Sequence, residues 1–202
     1  AQAVADEIGG IALTADVADA AGAEAAVAEA EARHGVARIL INCAGVADAG
    51  RIVGREGPHD LAVFEKVIRV NLIGSFNMLR LFAWRIAQSA PEGDGDRGVV
   101  VNTASVAAYE GQIGQAAYAA SKGGIAALAL PAARELARHG IRVNTIAPGI
   151  FGTPMLRGLP QEVQESLAAG VPYPARLGTP EEFGRTACFI VETEYLNGES
   201  IR

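Results

Sequence analysis

The chain has 202 residues, half of them hydrophobic, and a formal net charge of −6, a globular composition with enough apolar residues for one large core. No basic block interleaves with aromatic residues, so nucleic acid is not an expected partner. The longest apolar runs are broken by Gly, Pro or charge well short of the ~18 residues a membrane span needs, so no membrane partner is expected either.

The opening "AQAVADEIGG" reads as the end of a helix and shows no basic segment followed by an apolar one. "IALTADV" (11–17) reads as a strand. The run 19–35 reads as a helix, with Asp19 as N-cap and Gly35 as its stop. "ARILINCAG" (37–45) is a strand entering a glycine turn, and Cys43 within it reads, like Cys188, as a small buried hydrophobe. Residues 60–90 form a long helical stretch, interrupted near Val67–Val70, and "PEGDGDRG" (91–98) is a polar loop. "VVVNTAS" (99–105) is a buried strand, 118–140 a helix, and "IRVNTIAPG" (141–149) another strand. The tetrapeptide "ARHG" occurs at 32–35 and again at 137–140, each time as a helix stop: basic side chains at the negative helix end, then Gly. His34 and His139 thus have structural places, and His59 has no Cys, His or carboxylate company, so no metal site is expected. The strands are continuous apolar runs alternating with helices, which predicts a doubly wound α/β fold around a parallel sheet covered on both faces.

One pentapeptide stands out against this background. The chain has two lysines, Lys66 and Lys122, against fifteen arginines, and Lys122 closes "YAASK" at 118–122. On a helix, positions i and i+4 share a face, so Tyr118 and Lys122 point the same way. A phenol titrates near ~10 and is a poor acid–base catalyst at neutral pH. A nearby cation favours the phenolate, and bringing it to neutrality takes about 4 kcal/mol. Lys suits that task better than Arg, being a compact point charge. Upstream, the strand 99–105 ends at Ser105, and parallel-sheet sites form at the carboxyl ends of strands. Two hydroxyls, Ser105 and Tyr118, around one substrate oxygen would donate a proton and polarise that oxygen.

Ser105, Tyr118 and Lys122, spaced S-x12-Y-x3-K, resemble the catalytic set of the short-chain dehydrogenase/reductase family. Other segments in the same order strengthen the likeness. Asp16 and Val17 resemble the pair at the adenine ring. "NCAG", from Asn42 through Ala44 and Gly45, resembles the family's N-N-A-G with Cys43 in place of the second Asn. Asn71 resembles the fourth catalytic residue, and Pro148, Gly149 and Thr153 resemble the segment that holds the nicotinamide carboxamide. Gly45 and Gly149 are expected to be turn glycines as well. Longer stretches, such as "NTASVAAYEGQIGQAAYAASKGGI", are similar to members that oxidise 3-hydroxyacyl-CoA or hydroxysteroid substrates with NAD, and they add Gln112 and Gln115 as substrate contacts. The resemblance implies a Rossmann-like fold and hydride transfer between a secondary alcohol and NAD, with NADP open. Tyr118 would be the acid/base, Ser105 would fix the substrate oxygen, Lys122 would lower the tyrosine pKa and bind ribose, and Asn71 would order a relay water. It further implies a homotetramer and a flap over substrate at 151–178; a cytoplasmic enzyme is expected separately.

No glycine-rich phosphate turn follows a strand in this sequence, and "ESIR" reads as a strand cut short. The chain is therefore expected to be a single partial dinucleotide-binding and catalytic domain, 1–202, lacking an N-terminal βαβ unit and the end of its last strand. Two alternatives stand beside the NAD-dependent dehydrogenase. One is an NADPH-dependent 3-oxoacyl or acetoacetyl reductase; the other is a non-catalytic assembly subunit. Arg51, Arg55 and Arg157 are candidates for CoA phosphates, without forming a clear patch.

Overall fold

The computed structural model describes residues 1–158 and 160–202; the side chains of Met155 and Arg157, and with them one of the arginine candidates, fall outside the described set. In chain order the elements are α1 (Gln2–Ile8), α2 (Ala20–His34), β1 (Ile39–Asn42), α3 (Leu61–Ile68), a π-helical turn (Arg69–Ile73), α4 (Gly74–Ile86) and β2 (Gly98–Thr103). Then come α5 (Ala107–Glu110), α6 (Ala116–Leu136), a 3₁₀ turn (Ala137–His139), β3 (Ile141–Ile146), α7 (Pro154–Arg157), α8 (Gln161–Ala169), α9 (Pro180–Glu192) and β4 (Ser200–Ile201).

The four strands lie in the order β1-β2-β3-β4, all neighbours parallel. β2 and β3 are buried along their length because both faces are covered. On one face Val100, Ile141 and Val143 pack with Leu79, Phe82 and Ile86 of α4 and Ala132 and Ala133 of α6. On the other, Val99, Val101 and Ile146 pack with Ala187 and Ile190 of α9. Each fully buried Val or Ile contributes roughly 1.5–3 kcal/mol of transfer free energy. β1 departs from the uniformly buried strand: Ile39 and Ile41 stay 49% and 42% exposed, since α9 packs on β2 and β3. Arg142, on β3, is buried, and its guanidinium donates to the carbonyls of Ile190 (2.9 Å), Val191 (2.8 Å), Thr193 (3.1 Å) and Leu196 (3.2 Å). It satisfies orphan carbonyls at the negative end of α9.

The parallel sheet with helices on both faces is the expected fold class. The expected helix at 19–35 begins at Asp19, whose carboxylate accepts from the Gly22 N–H at 3.1 Å, and ends at Gly35. The interruption in the stretch 60–90 is the π turn Arg69–Ile73, which overlaps the place expected. The segment 11–17 is a correction: among the described residues no sheet ladder includes it. A β-branched run becomes a strand only where a neighbouring backbone takes its N–H and C=O groups. α9 is an element the sequence reading did not find. Cys43 and Cys188, expected to be buried, are both exposed.

Both ARHG segments end helices on a glycine of positive φ, 79° at Gly35 and 65° at Gly140. Their surroundings differ. A Cβ on Gly35 would meet nothing within 4 Å, whereas one on Gly140 would lie 2.1 Å from the Gly95 carbonyl oxygen. Gly35→Ala should therefore cost about 1–3 kcal/mol, the penalty of a Cβ on a positive-φ backbone with ψ −177° alone. Gly140→Ala should cost clearly more, because the loop 91–98 must also move. Urea denaturation of the two variants checks the order; equal losses would contradict it.

Candidate active site

The carboxyl ends of three strands deliver the segments singled out in the sequence to one place. β1 runs into Asn42, Cys43, Ala44 and Gly45; β2 runs past Thr103 to Ser105; β3 runs to Pro148 and Gly149. The first turns of α6 lie against these ends and present Tyr118 and Lys122 on one face.

Lys122 is 5% exposed, and its Nζ donates to the Thr103 carbonyl at 2.7 Å. Burial pulls its pKa down to about 8; the Cys43 side chain nearby opposes that shift. Nζ lies 5.7 Å from the centroid of the Tyr118 ring. Burial raises the Tyr118 pKa above its ordinary value, and the hydrogen bond with the Ser105 side chain lowers it in part. The lowering of Tyr118 expected from Lys122 is not seen in this geometry: the ammonium is committed to Thr103, and desolvation of the phenol dominates. Ser105 is buried, and its Oγ also accepts from the Ala107 N–H at 3.1 Å.

Asn71, in the middle of the π turn, is fully buried. Its Oδ1 accepts from Val46 N at 2.8 Å, and its Nδ2 donates to Val46 O at 2.9 Å and to Ser121 Oγ at 3.0 Å. Its carbonyl accepts from Ser75 Oγ at 2.6 Å. Asn42 turns inward, with Nδ2 donating to Ser75 O (3.2 Å) and Asn102 Oδ1 (2.9 Å), so it ties β1 to β2 and α4. Neither Gly45 nor Gly149 has a positive φ, which corrects the turn-glycine expectation. What Gly45 provides is close approach: a Cβ there would stand 3.2 Å from Asn71 Oδ1 and 3.7 Å from Lys122 Nζ. A Cβ on Gly149 would meet nothing within 4 Å.

Asp16 is exposed and accepts from the Ala18 N–H at 2.9 Å, closing its own turn. Val17 packs on α4, where Gly74 leaves it room, and its carbonyl accepts from Asn77 Nδ2 at 2.8 Å. Thr153 is the N-cap residue of α7, without a side-chain capping bond. Gln115 Oε1 accepts from Gln112 N at 2.9 Å, and the Gln115 N–H donates to Gln112 O at 3.0 Å, so the pair closes a turn. Both line an open cleft of about 550 Å³ between residues 50–52, 107–109 and 111–116. Ala116 and Ala119 of α6 also line this cleft, on either side of Tyr118, but Ser105, Tyr118 and Lys122 do not. The expected flap is bounded by a short parallel bridge between Phe151 and Gly178, with the Gly178 backbone against the Phe151 ring; Leu159, inside it, lies outside the described residues.

The chain thus holds a buried ammonium, two neighbouring hydroxyls, and at Gly45 a backbone without a Cβ packed against the Asn71 and Lys122 side chains. The vicinal hydroxyls of a nicotinamide ribose would fit this donor set at Lys122. The sequence reading did not single out Thr103, Ser75 or Ser121, although Ser121 stands directly before Lys122. Among the described residues there is no group of His, Cys and acidic side chains able to hold a metal ion, and no helix is long and apolar enough to cross a membrane.

A family profile described as Enoyl-(Acyl carrier protein) reductase matches residues 1–202. The chain is 50% identical over 190 residues to 3-hydroxyacyl-CoA dehydrogenase type-2 of Bos taurus, covering 93% of this chain and 73% of that protein. It is 34% identical over 165 residues to (3R)-3-hydroxyacyl-CoA dehydrogenase of Homo sapiens, covering 81% of this chain and 59% of that protein. The crystal structure of 3-hydroxyacyl-CoA dehydrogenase type-2 from Mycobacterium avium superposes with a TM-score of 0.92 at 44% identity, over 100% of this chain and 79% of that one.

Burial of Lys122 has a measurable consequence. Its pKa is lower in the fold than in the unfolded chain, so the unfolded state binds the extra proton between pH 8 and about 10.5. The ammonium therefore opposes folding below pH 8, by about 3 kcal/mol, and this opposition fades as pH rises through that window. Lys122→Met should unfold at a higher urea concentration than wild type at pH 7, with the difference shrinking toward pH 10. A difference that does not change with pH would contradict this.

Proposed function

This chain belongs to the short-chain dehydrogenase/reductase family, and from that premise we propose that it oxidises the secondary alcohol of a 3-hydroxyacyl-CoA, or of a hydroxysteroid, using NAD. The observation that carries the reading is the set at the strand ends: buried Ser105, half-buried Tyr118 beside it, and buried Lys122 on the same face of α6. The similarity to proteins named as 3-hydroxyacyl-CoA dehydrogenases supports the acyl substrate class.

In this reading the substrate hydroxyl sits against Ser105 Oγ and Tyr118 Oη. Tyr118 takes its proton in oxidation and returns it in reduction. Ser105 fixes and polarises the oxygen as it becomes a carbonyl. Lys122 would bind the ribose hydroxyls, while Asn71 fixes the loop at Val46 beside it. NAD, when bound in its oxidised form, would supply the hydride acceptor and a positive charge near the phenol. Gly45, Ala44, Pro148, Gly149 and Thr153 would line the nicotinamide half, and Asp16 and Val17 the adenine half. Asn42 contributes by holding β1 in place. Gln112 and Gln115 would shape the cleft for the part of the substrate beyond the alcohol carbon, and 151–178 would close over it. Ile73, Phe76 and Trp84 leave an apolar stripe exposed along the π turn and α4, which supports association into a homotetramer through these helices. A cytoplasmic enzyme remains the reading of the compartment.

The test is absorbance at 340 nm with full-length protein, NAD⁺ and a short 3-hydroxyacyl-CoA, run beside NADP⁺ and steroid alcohols. NADH formation is expected, with Ser105→Ala lowering kcat roughly 10²-fold or more. A rate only with NADP⁺ would move the reading to the reductase. No turnover with either nucleotide on any alcohol would favour an assembly subunit.

A further inference from the structure

Ser121 is completely enclosed, lines no cleft, and is not needed for any step described above. Its hydroxyl is nevertheless used in both directions. It donates to the Tyr118 carbonyl at 2.7 Å and accepts from Asn71 Nδ2 at 3.0 Å. A serine inside a helix commonly bonds back to its own preceding turn, and the first of these contacts is ordinary in that sense. The second is not: it comes from another helix, fifty residues away in sequence, and from the amide that also grips both backbone groups of Val46. The chain Val46–Asn71–Ser121–Tyr118 carbonyl therefore joins the loop after β1, the π turn and the first turn of α6.

We propose that Ser121 is a positioning residue: it fixes the rotation of the first turns of α6 against Asn71, and thereby the placement of Tyr118 and Lys122. With the hydroxyl gone, Asn71 keeps one N–H on Val46 O and has a second N–H buried without a partner. Two relaxations are open, a rotated Asn71 amide or a shifted helix turn, and either moves groups whose catalytic use depends on sub-ångström placement. Ser121 makes no contact with the cleft, so substrate affinity should be spared. The inference rests on the dehydrogenase reading given above.

The experiment is steady-state kinetics of full-length wild type, Ser121→Ala, Asn71→Ala and the double variant, with NAD⁺ and a 3-hydroxyacyl-CoA. Ser121→Ala should lower kcat about tenfold and leave the KM of the acyl-CoA within about twofold. On the Asn71→Ala background the same change should cost less than about twofold, because the partner is already gone. If Ser121→Ala does not fold, Ser121→Cys, which keeps the volume and weakens both hydrogen bonds, should show the same split. Equal losses on both backgrounds would overturn the proposal, since a merely structural defect adds independently. So would an unchanged kcat, or a loss confined to KM. No turnover by wild type would remove the dehydrogenase reading itself and the inference with it, which is a different result from an active wild type whose rate ignores Ser121.

Discussion

The site depends on one ammonium group taken out of water. Lys122 is 5% exposed, and the carbonyl of Thr103 is its hydrogen-bond partner. That replaces only part of its hydration, so its pKa falls to about 8. The rest of the local architecture is what makes this placement possible. β2 must end at Thr103 for the carbonyl to point at α6. Gly45 leaves room for the Asn71 amide, because a Cβ there would stand 3.2 Å from Asn71 Oδ1. The π turn must carry Asn71 into the same small volume. Arginine, which this chain uses almost everywhere else, would bring a planar fork too wide for such a slot.

The same burial explains a mismatch between the two halves of the argument. Spacing on a helix correctly put Tyr118 and Lys122 on one face, and from there a lowered phenol pKa followed by simple electrostatics. In the folded chain both groups are desolvated together, and the lysine is occupied with a carbonyl. The phenol is raised rather than lowered. Proximity of a cation is thus not sufficient; the cation must also be free to face the phenol.

Much of the fold was legible because its signals are local. Asp19 and Gly35 marked the ends of α2, the continuous apolar runs marked β2 and β3, and YAASK marked the face of α6 that carries Tyr118 and Lys122. The failures have physical reasons. Residues 11–17 have strand composition but no ladder neighbour among the described residues, and composition cannot supply one. α9 went unread although Thr179, Pro180 and Glu182 spell a start signal: the Thr179 side chain accepts from the Glu182 N–H, and the Glu182 carboxylate accepts from the Thr179 N–H. Asn42, Ser75 and Ser121 take part in long-range hydrogen bonds spanning 33 to 60 residues, which no window along the sequence can reveal. Gly45 was singled out for turn geometry but matters for close approach.

The central claim is that proton transfer to and from the substrate oxygen passes through Tyr118. The most direct measurement is the single-turnover rate of NADH formation by Tyr118→Phe, whose ring fills the same space without the hydroxyl, together with its thermal unfolding temperature. The account predicts a fold as stable as wild type and a rate reduced by roughly 10³-fold or more. A rate within tenfold of wild type would contradict it, because the acid/base group would then lie elsewhere.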